Sequence, residues 1–111
     1  MPKNMLEFTE IGLADRYVEL YRDKMAYIVM EGCWALRYAN GWGRDLTQTA
    51  LLRSRQLCAE VASRAPTERD AMRIASGRTI KMVERLAQIE LAVSSFSDLE
   101  PKLCPNFRHG R

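Results

Sequence analysis

The chain has 111 residues, of which 47% are hydrophobic and 28% are charged, and its formal net charge is +3. This balance is typical of globular proteins and argues against an intrinsically disordered chain. The length suits one domain, so we expect residues 1–111 to form a single unit.

The first predicted helix covers residues 10–39 and includes the most apolar stretch of the chain, MAYIVMEGCWAL at residues 25–36. Uncharged residues from Ala14 to Ala39 recur at alternating steps of three and four, which is typical of helices packed at a shallow angle. Because the second half of this helix is apolar nearly all round, we expect other protein surfaces to cover it. The stretch of twelve residues is shorter than the roughly 20 needed to span a bilayer, so we expect no membrane segment.

Turn signals separate two further helices. The Asn40-Gly41 pair predicts the end of the first helix, and a second helix is predicted over residues 45–65. A third helix is predicted over residues 67–96, and it begins with Thr67 followed three residues later by Asp70, which is a capping-box arrangement.

The tail at residues 97–111 contains Pro101 and Pro105, which exclude a regular helix throughout. Short loops between the three helices favour antiparallel neighbours. The sequence therefore predicts an all-α antiparallel bundle of three main helices followed by an irregular C-terminal tail.

The cysteines, Cys33, Cys58 and Cys104, are scattered and form no C-x-x-C pair, and His109 is the only histidine. They do not have the spacing of a zinc site, so we expect free thiols in a reducing cytoplasm and no metal or cofactor. The first ten residues include acids where a secretory signal has its apolar run, which also favours a cytoplasmic protein.

No set of residues in the sequence has the pattern of a catalytic site. The GWGRD stretch at residues 41–45 lacks the Lys-Ser/Thr ending of a phosphate-binding loop, and no predicted helix carries a histidine. We therefore expect no catalytic residues and a protein that is not an enzyme. The one enzyme class kept open is a chorismate-mutase-like helical site in which Arg and Lys grip a dicarboxylate, although its motif is absent.

Basic residues are concentrated in the second part of the chain, where residues 44–111 contain twelve Lys or Arg and eight Asp or Glu. On the third predicted helix, Arg78, Lys81 and Arg85 fall within about 60° of one another. The predicted nucleic-acid-binding residues are Arg53, Arg73, Arg78, Lys81 and Arg85, which would contact a phosphate backbone without reading bases. The alternative is an ordinary solvated face with local ion pairs. A helix of this length does not suit a helix-turn-helix reader.

Tyr27, Met30 and Trp34 are the predicted protein-contact residues on the first helix. Large apolar surfaces on a small protein usually mark contacts, so we expect a protein partner or a second copy of the chain there. The alternative is that the aromatic residues of this helix are core residues, as those at helical spacing usually are.

The predicted function is that of a non-catalytic small helical subunit of a larger assembly, with a basic face that contacts the nucleic-acid backbone non-specifically. Small subunits of nucleic-acid-handling or RNA-guided complexes have this general build, an analogy of size, helicity and charge that rests on no motif. The alternative is a pure protein–protein interaction module without nucleic acid, such as a self-associating adaptor, an inhibitor or a chaperone-like protein.

Overall fold

The computed structural model describes residues 6–99, and these form a mixed α/β fold. The predicted all-α antiparallel bundle of three helices is therefore wrong. Within residues 6–99, the helices and strands in chain order are α1 (Glu10–Tyr21), β1 (Met25–Ile28), β2 (Cys33–Tyr38), β3 (Gly41–Arg44), α2 (Thr49–Ala62), α3 (Glu68–Ile74), α4 (Gly77–Glu90) and β4 (Ala92–Val93).

The second half of the first predicted helix is a β-meander. Helix α1 ends at Tyr21, and the following strands β1, β2 and β3 pair antiparallel, with Met25 opposite Leu36 and Tyr38 opposite Gly41. Strand β4 pairs parallel to β1, so the sheet order is β3-β2-β1-β4. The Asn40-Gly41 pair, which we interpreted as a helix stop, lies at the turn between β2 and β3, where Gly41 has a φ of 132°.

The strands resemble a buried helix in sequence because both faces of the sheet are covered. Trp34 and Leu36 belong to the core between the sheet and the helices. Ile28 and Ala35 are wholly buried on the opposite face of the sheet, where they form a second cluster with the buried Leu99. A strand buried on both faces is a continuous apolar run without polar alternation, and periodicity alone does not distinguish it from a buried helix.

The third predicted helix is divided into two helices and a strand. Thr67 caps α3 as predicted, since its hydroxyl accepts the backbone N–H of Asp70 at 3.0 Å. The helix is interrupted after Ile74, and a new helix begins at Gly77. The hydroxyl of Ser76 accepts the N–H of Thr79 and so caps α4. Helix α4 ends at Glu90, and β4 follows directly where the sequence predicted more helix.

The main core lies between one face of the sheet and helices α1, α2 and α4, with Leu13, Tyr17 and Val83 wholly buried. The buried hydroxyl of Ser54 on α2 donates to the carbonyl oxygen of Ile80 on α4 at 2.7 Å, which joins these two helices side by side. A short 3₁₀ helix, Phe96–Asp98, and the buried Leu99 cover the far face of the sheet. The rest of the predicted tail lies outside the described residues.

Candidate functional site

One exposed face of α4 carries three of the predicted nucleic-acid-binding residues. Arg78, Lys81 and Arg85 are all exposed, and their spacing of three and four residues places them on neighbouring turns. Within residues 6–99, no carboxylate lies at salt-bridge distance from any of these side chains. They therefore form a positive surface, which we call the α4 basic face.

The other two predicted residues lie in different environments. Arg53 is half-buried on α2, where its guanidinium stacks on the ring of Tyr21 at 4.7 Å. Its Nη1 is buried and has no hydrogen-bond partner among the described residues. Arg73, on α3, lies 3.4 Å from the carboxylate of Asp70 and donates to the carbonyl oxygen of Phe8 at 3.1 Å. Neither side chain joins the α4 basic face.

A groove follows the contact between α2 and α4 and consists of two adjoining clefts, each of about 440 Å³. The first cleft lies beside β2 and is lined in part by Trp34, Asp45, Glu84 and Arg85. Its surface is divided about equally between polar and apolar atoms. The second cleft lies at the start of α4, and its surface is mostly carbon. Lys81 lines both clefts and so connects the groove to the α4 basic face.

Leucine and isoleucine side chains form the floor of the second cleft, and its rim is cationic. Leu51 and Ile80 are partly buried there, and Leu52 is 45% exposed. Arg55 on α2 and Lys81 on α4 line the same cleft. The groove thus has a positive side chain on each of its two helices.

The two carboxylates of the first cleft are engaged by groups of the protein. Asp45 accepts the backbone N–H groups of Thr49 and Ala50 at 2.9 and 2.8 Å, at the start of α2. Glu84 accepts the indole N–H of Trp34 at 2.8 Å. These hydrogen bonds direct both carboxylates toward structural partners, and Lys81 and Arg85 remain unpaired among residues 6–99.

The five predicted nucleic-acid-binding residues do not include Arg55, Leu52 and Gly77, which line the second cleft. A signal was present for two of them, because Leu52 and Arg55 are about one helical turn apart and lie beside the core position Ser54. The place of Gly77 in the cleft depends on the interruption at Ser76 that starts α4.

The predicted protein-contact residues are dispersed over the β1–β2 hairpin, so a contact through a continuous first helix is excluded by the fold. Trp34 is 5% exposed and packs edge-on against the half-buried Tyr27, with ring centroids 5.3 Å apart. Met30 lies in the turn between β1 and β2 and is 77% exposed. Of the three, only Met30 presents most of its side chain to the surface.

Residues 6–99 contain no group of three or more His, Cys, Asp or Glu side chains arranged to hold a metal ion. None of the helices in this range combines the length and the apolar character needed to cross a bilayer. Cys33 and Cys58 are free thiols, and burial raises the pKa of the Cys58 thiol above its ordinary value. Cys58 is thus favoured as the neutral thiol inside the core.

No protein-family model, no curated protein and no solved structure matches this chain.

Proposed function

We propose that this protein is a non-catalytic subunit of a larger assembly that binds the phosphate backbone of nucleic acid through the α4 basic face, without reading base sequence. The observation that carries the proposal is the set of three exposed cations on one side of one helix, Arg78, Lys81 and Arg85, which have no salt-bridge partner among residues 6–99. Free thiols at Cys33 and Cys58 support a reducing, cytoplasmic setting.

Physical chemistry favours a phosphate ligand for this surface. Arg forms bidentate hydrogen bonds with phosphate, and Lys supplies a compact charge. Seven residues separate Arg78 from Arg85, which corresponds to about 10 Å along the helix axis. Three cations at this separation are within about one Debye length of each other at 0.1 M salt, so they act on a polyanion together. Contacts of this kind give dissociation constants of about 10⁻⁴ to 10⁻⁶ M at physiological salt.

The test is a salt titration of binding to a fluorescently labelled oligonucleotide, followed by anisotropy. We expect binding at low salt that weakens steeply as salt is added, because bound cations release counterions from the backbone. In the Arg78→Ala, Arg85→Ala double variant, the slope of log affinity against log salt should fall by about 2, and by the same amount for unrelated sequences.

The matched control is Arg16→Ala, which removes one exposed arginine from α1. Arg16 lines a different cleft, which also contains the carboxylates of Glu7 and Glu60, and its own partner is Glu19 at 3.8 Å. This variant should keep the slope of the wild type. Equal losses for each charge removed, in the control and in the α4 variant, would show that binding depends on net charge and not on the α4 basic face. Absence of binding at low salt would reject the function.

A protein contact is the second candidate function, and the β1–β2 turn is the feature that favours it. Val29 and Met30 are 57% and 77% exposed side by side. Their backbone N–H groups donate to the carbonyl oxygens of Val93 and Ser94, so the exposed turn is held firmly against the end of β4. This pair of adjoining exposed apolar side chains is the candidate contact site. If the oligonucleotide titration shows no binding, this interaction role remains.

A further inference from the structure

We infer that the groove between α2 and α4 holds single-stranded nucleic acid, with phosphates at its cationic rim and bases on the apolar floor of the second cleft. The inference rests on the proposed function and adds the class of nucleic acid to it.

The floor of the second cleft is the first observation. Leu51, Leu52 and Ile80 form a mostly carbon surface directly beside Lys81. In a duplex the bases are stacked and paired inside, so only phosphates and sugars would reach the rim and this apolar surface would stay uncovered. A single strand exposes base faces next to its phosphates, so it can contact the floor and the rim together.

The position of the cations is the second observation. Arg55 on α2 and Lys81 on α4 line the same cleft, and Arg85 continues the line of charge into the first cleft. Lys81 and Arg85 are four residues apart, which corresponds to about 6 Å along the helix axis. A strand that follows the groove therefore meets positive charge on both sides of the second cleft. In the first cleft it meets Arg85 beside Glu84 and Asp45, whose carboxylates accept hydrogen bonds from Trp34 and from the start of α2.

An acidic amphipathic peptide fits the groove less well. A helical peptide needs a row of apolar anchors over at least two turns, or about 10 Å. Apolar surface predominates only in the second cleft, because the first cleft exposes as much polar as apolar surface. The groove offers one apolar site with flanking cations, which suits one or two bases and their phosphates.

The experiment compares the affinities of the full chain for a labelled oligothymidylate of about 12 nucleotides and for a duplex of equal length, by anisotropy at one low salt concentration. A surface that binds nucleic acid through charge alone prefers the duplex, because the duplex has one charge per about 1.7 Å and thus a higher charge density than the single strand. We expect the opposite order, with the single strand bound about threefold tighter or more, since base contacts add to the phosphate contacts.

Two variants test the floor without changing charge. A side chain added at Gly77 enters open space, since a Cβ there would meet no heavy atom within 4 Å, so Gly77→Leu fills the cleft while α4 is retained. Leu52→Ser removes part of the floor. Both should lower the ratio of single-strand to duplex affinity to about one or below. Ile89→Ser is the matched control, because Ile89 is 71% exposed on the same helix and lines neither cleft, and it should keep the ratio.

Circular dichroism of each variant checks that the helices are intact. A wild-type preference for duplex, with binding that still depends on Arg78 and Arg85, would overturn this inference and leave the proposed function standing. An unchanged ratio in folded Gly77→Leu and Leu52→Ser would also overturn it. Absence of binding to either oligonucleotide would reject both proposals. Displacement of the strand by a polyglutamate peptide at equal concentration of charge would instead assign the groove to an acidic protein.

Discussion

The phenol of Tyr17 joins three elements of the fold. Its ring is wholly buried on α1, its hydroxyl donates to the carbonyl oxygen of Ala50 on α2 at 2.6 Å, and it also lies 3.6 Å from the sulfur of Met25 on β1. Burial, with a smaller contribution from the negative charge of Glu84, raises the pKa of Tyr17 far above its ordinary value of 10.0. Burial also raises the pKa of Cys58 above 9.0.

These pKa shifts predict loss of stability in alkali. Below about pH 7.5, Cys58 and Tyr17 are almost entirely neutral in both the folded and the unfolded chain, so neither contributes appreciably to the pH dependence of unfolding. Above pH 9 to 10, the unfolded chain releases protons that the folded chain retains. The free energy of unfolding should then fall, by up to about 1.4 kcal/mol per pH unit for each group. Urea denaturation at several pH values between 7.5 and 11 measures this fall.

Tyr17→Phe separates the contribution of the phenol. At pH 7.5 the variant should be less stable by about 1 kcal/mol, because the hydrogen bond from the phenol to the carbonyl oxygen of Ala50 is lost. Its further loss of stability on going to pH 11 should be smaller than that of the wild type. Tyr38→Phe is the control, since that side chain is 51% exposed and meets water in both states. Equal alkaline slopes for the wild type and Tyr17→Phe would contradict the prediction.

Helix α2 begins in an unusual way. The residue before it, Gln48, has a φ of 60°, and its side chain makes no capping hydrogen bond. The acceptor for the first amides is Asp45, whose two carboxylate oxygens accept the N–H groups of Thr49 and Ala50. A carboxylate at a helix N-terminus also interacts favourably with the helix dipole. The start of α2, and with it one wall of the groove, depends on this residue.

Asp45→Ala should lower the free energy of unfolding by about 1 to 2 kcal/mol, because two helix amides lose their acceptor. Asp45→Asn should cost less, since the amide retains one acceptor oxygen and loses only the second acceptor and the charge. Urea denaturation of the wild type and of the two variants measures the free energy of unfolding of each and so gives their order of stability. If both variants were as stable as the wild type, capping by the carboxylate would not be what holds the start of α2.

At the scale of the whole molecule, Trp34 connects the sheet to the helices. Its ring lies 6.5 Å from that of Tyr17 on α1, and its indole N–H donates to Glu84 on α4 at 2.8 Å. It belongs to the main core and is 5% exposed. We therefore attribute a structural role to Trp34, and we place the candidate protein contact at Met30.

Trp34→Ala should lower the free energy of unfolding by about 3 to 5 kcal/mol, through the lost packing and the unpaired Glu84. This is a large part of the roughly 5 to 15 kcal/mol that stabilises a typical domain. Met30→Ala, in the same hairpin, should change the free energy of unfolding by less than about 0.5 kcal/mol. Denaturation followed by tryptophan fluorescence measures both, with Trp42 as the remaining reporter in Trp34→Ala. If Trp34→Ala kept its stability and dissociated an oligomer in light scattering, Trp34 would be an interface residue instead.

Some features of this protein were determined by the sequence itself, because their physics is local. Thr67 caps a helix since its hydroxyl needs only the amide three residues later. Arg78, Lys81 and Arg85 share one side of α4 because their spacing matches the helical turn. The placement of the basic face therefore followed from the sequence, although what it binds did not.

Other features were decided by tertiary structure. Residues 25–38 form strands because the helices cover one face of the sheet and Leu99 covers the other, and this two-sided burial removes the polar alternation that marks a strand. Arg53 lies at the core edge because Tyr21, on another helix, provides the ring on which it stacks. The groove lies beside the contact in which Ser54 of α2 donates to Ile80 of α4, two residues that are 26 positions apart. A sequence pattern shows how polar and apolar residues alternate within one helix or strand. The features above depend instead on which helix, strand or loop from a distant part of the sequence packs against that helix or strand.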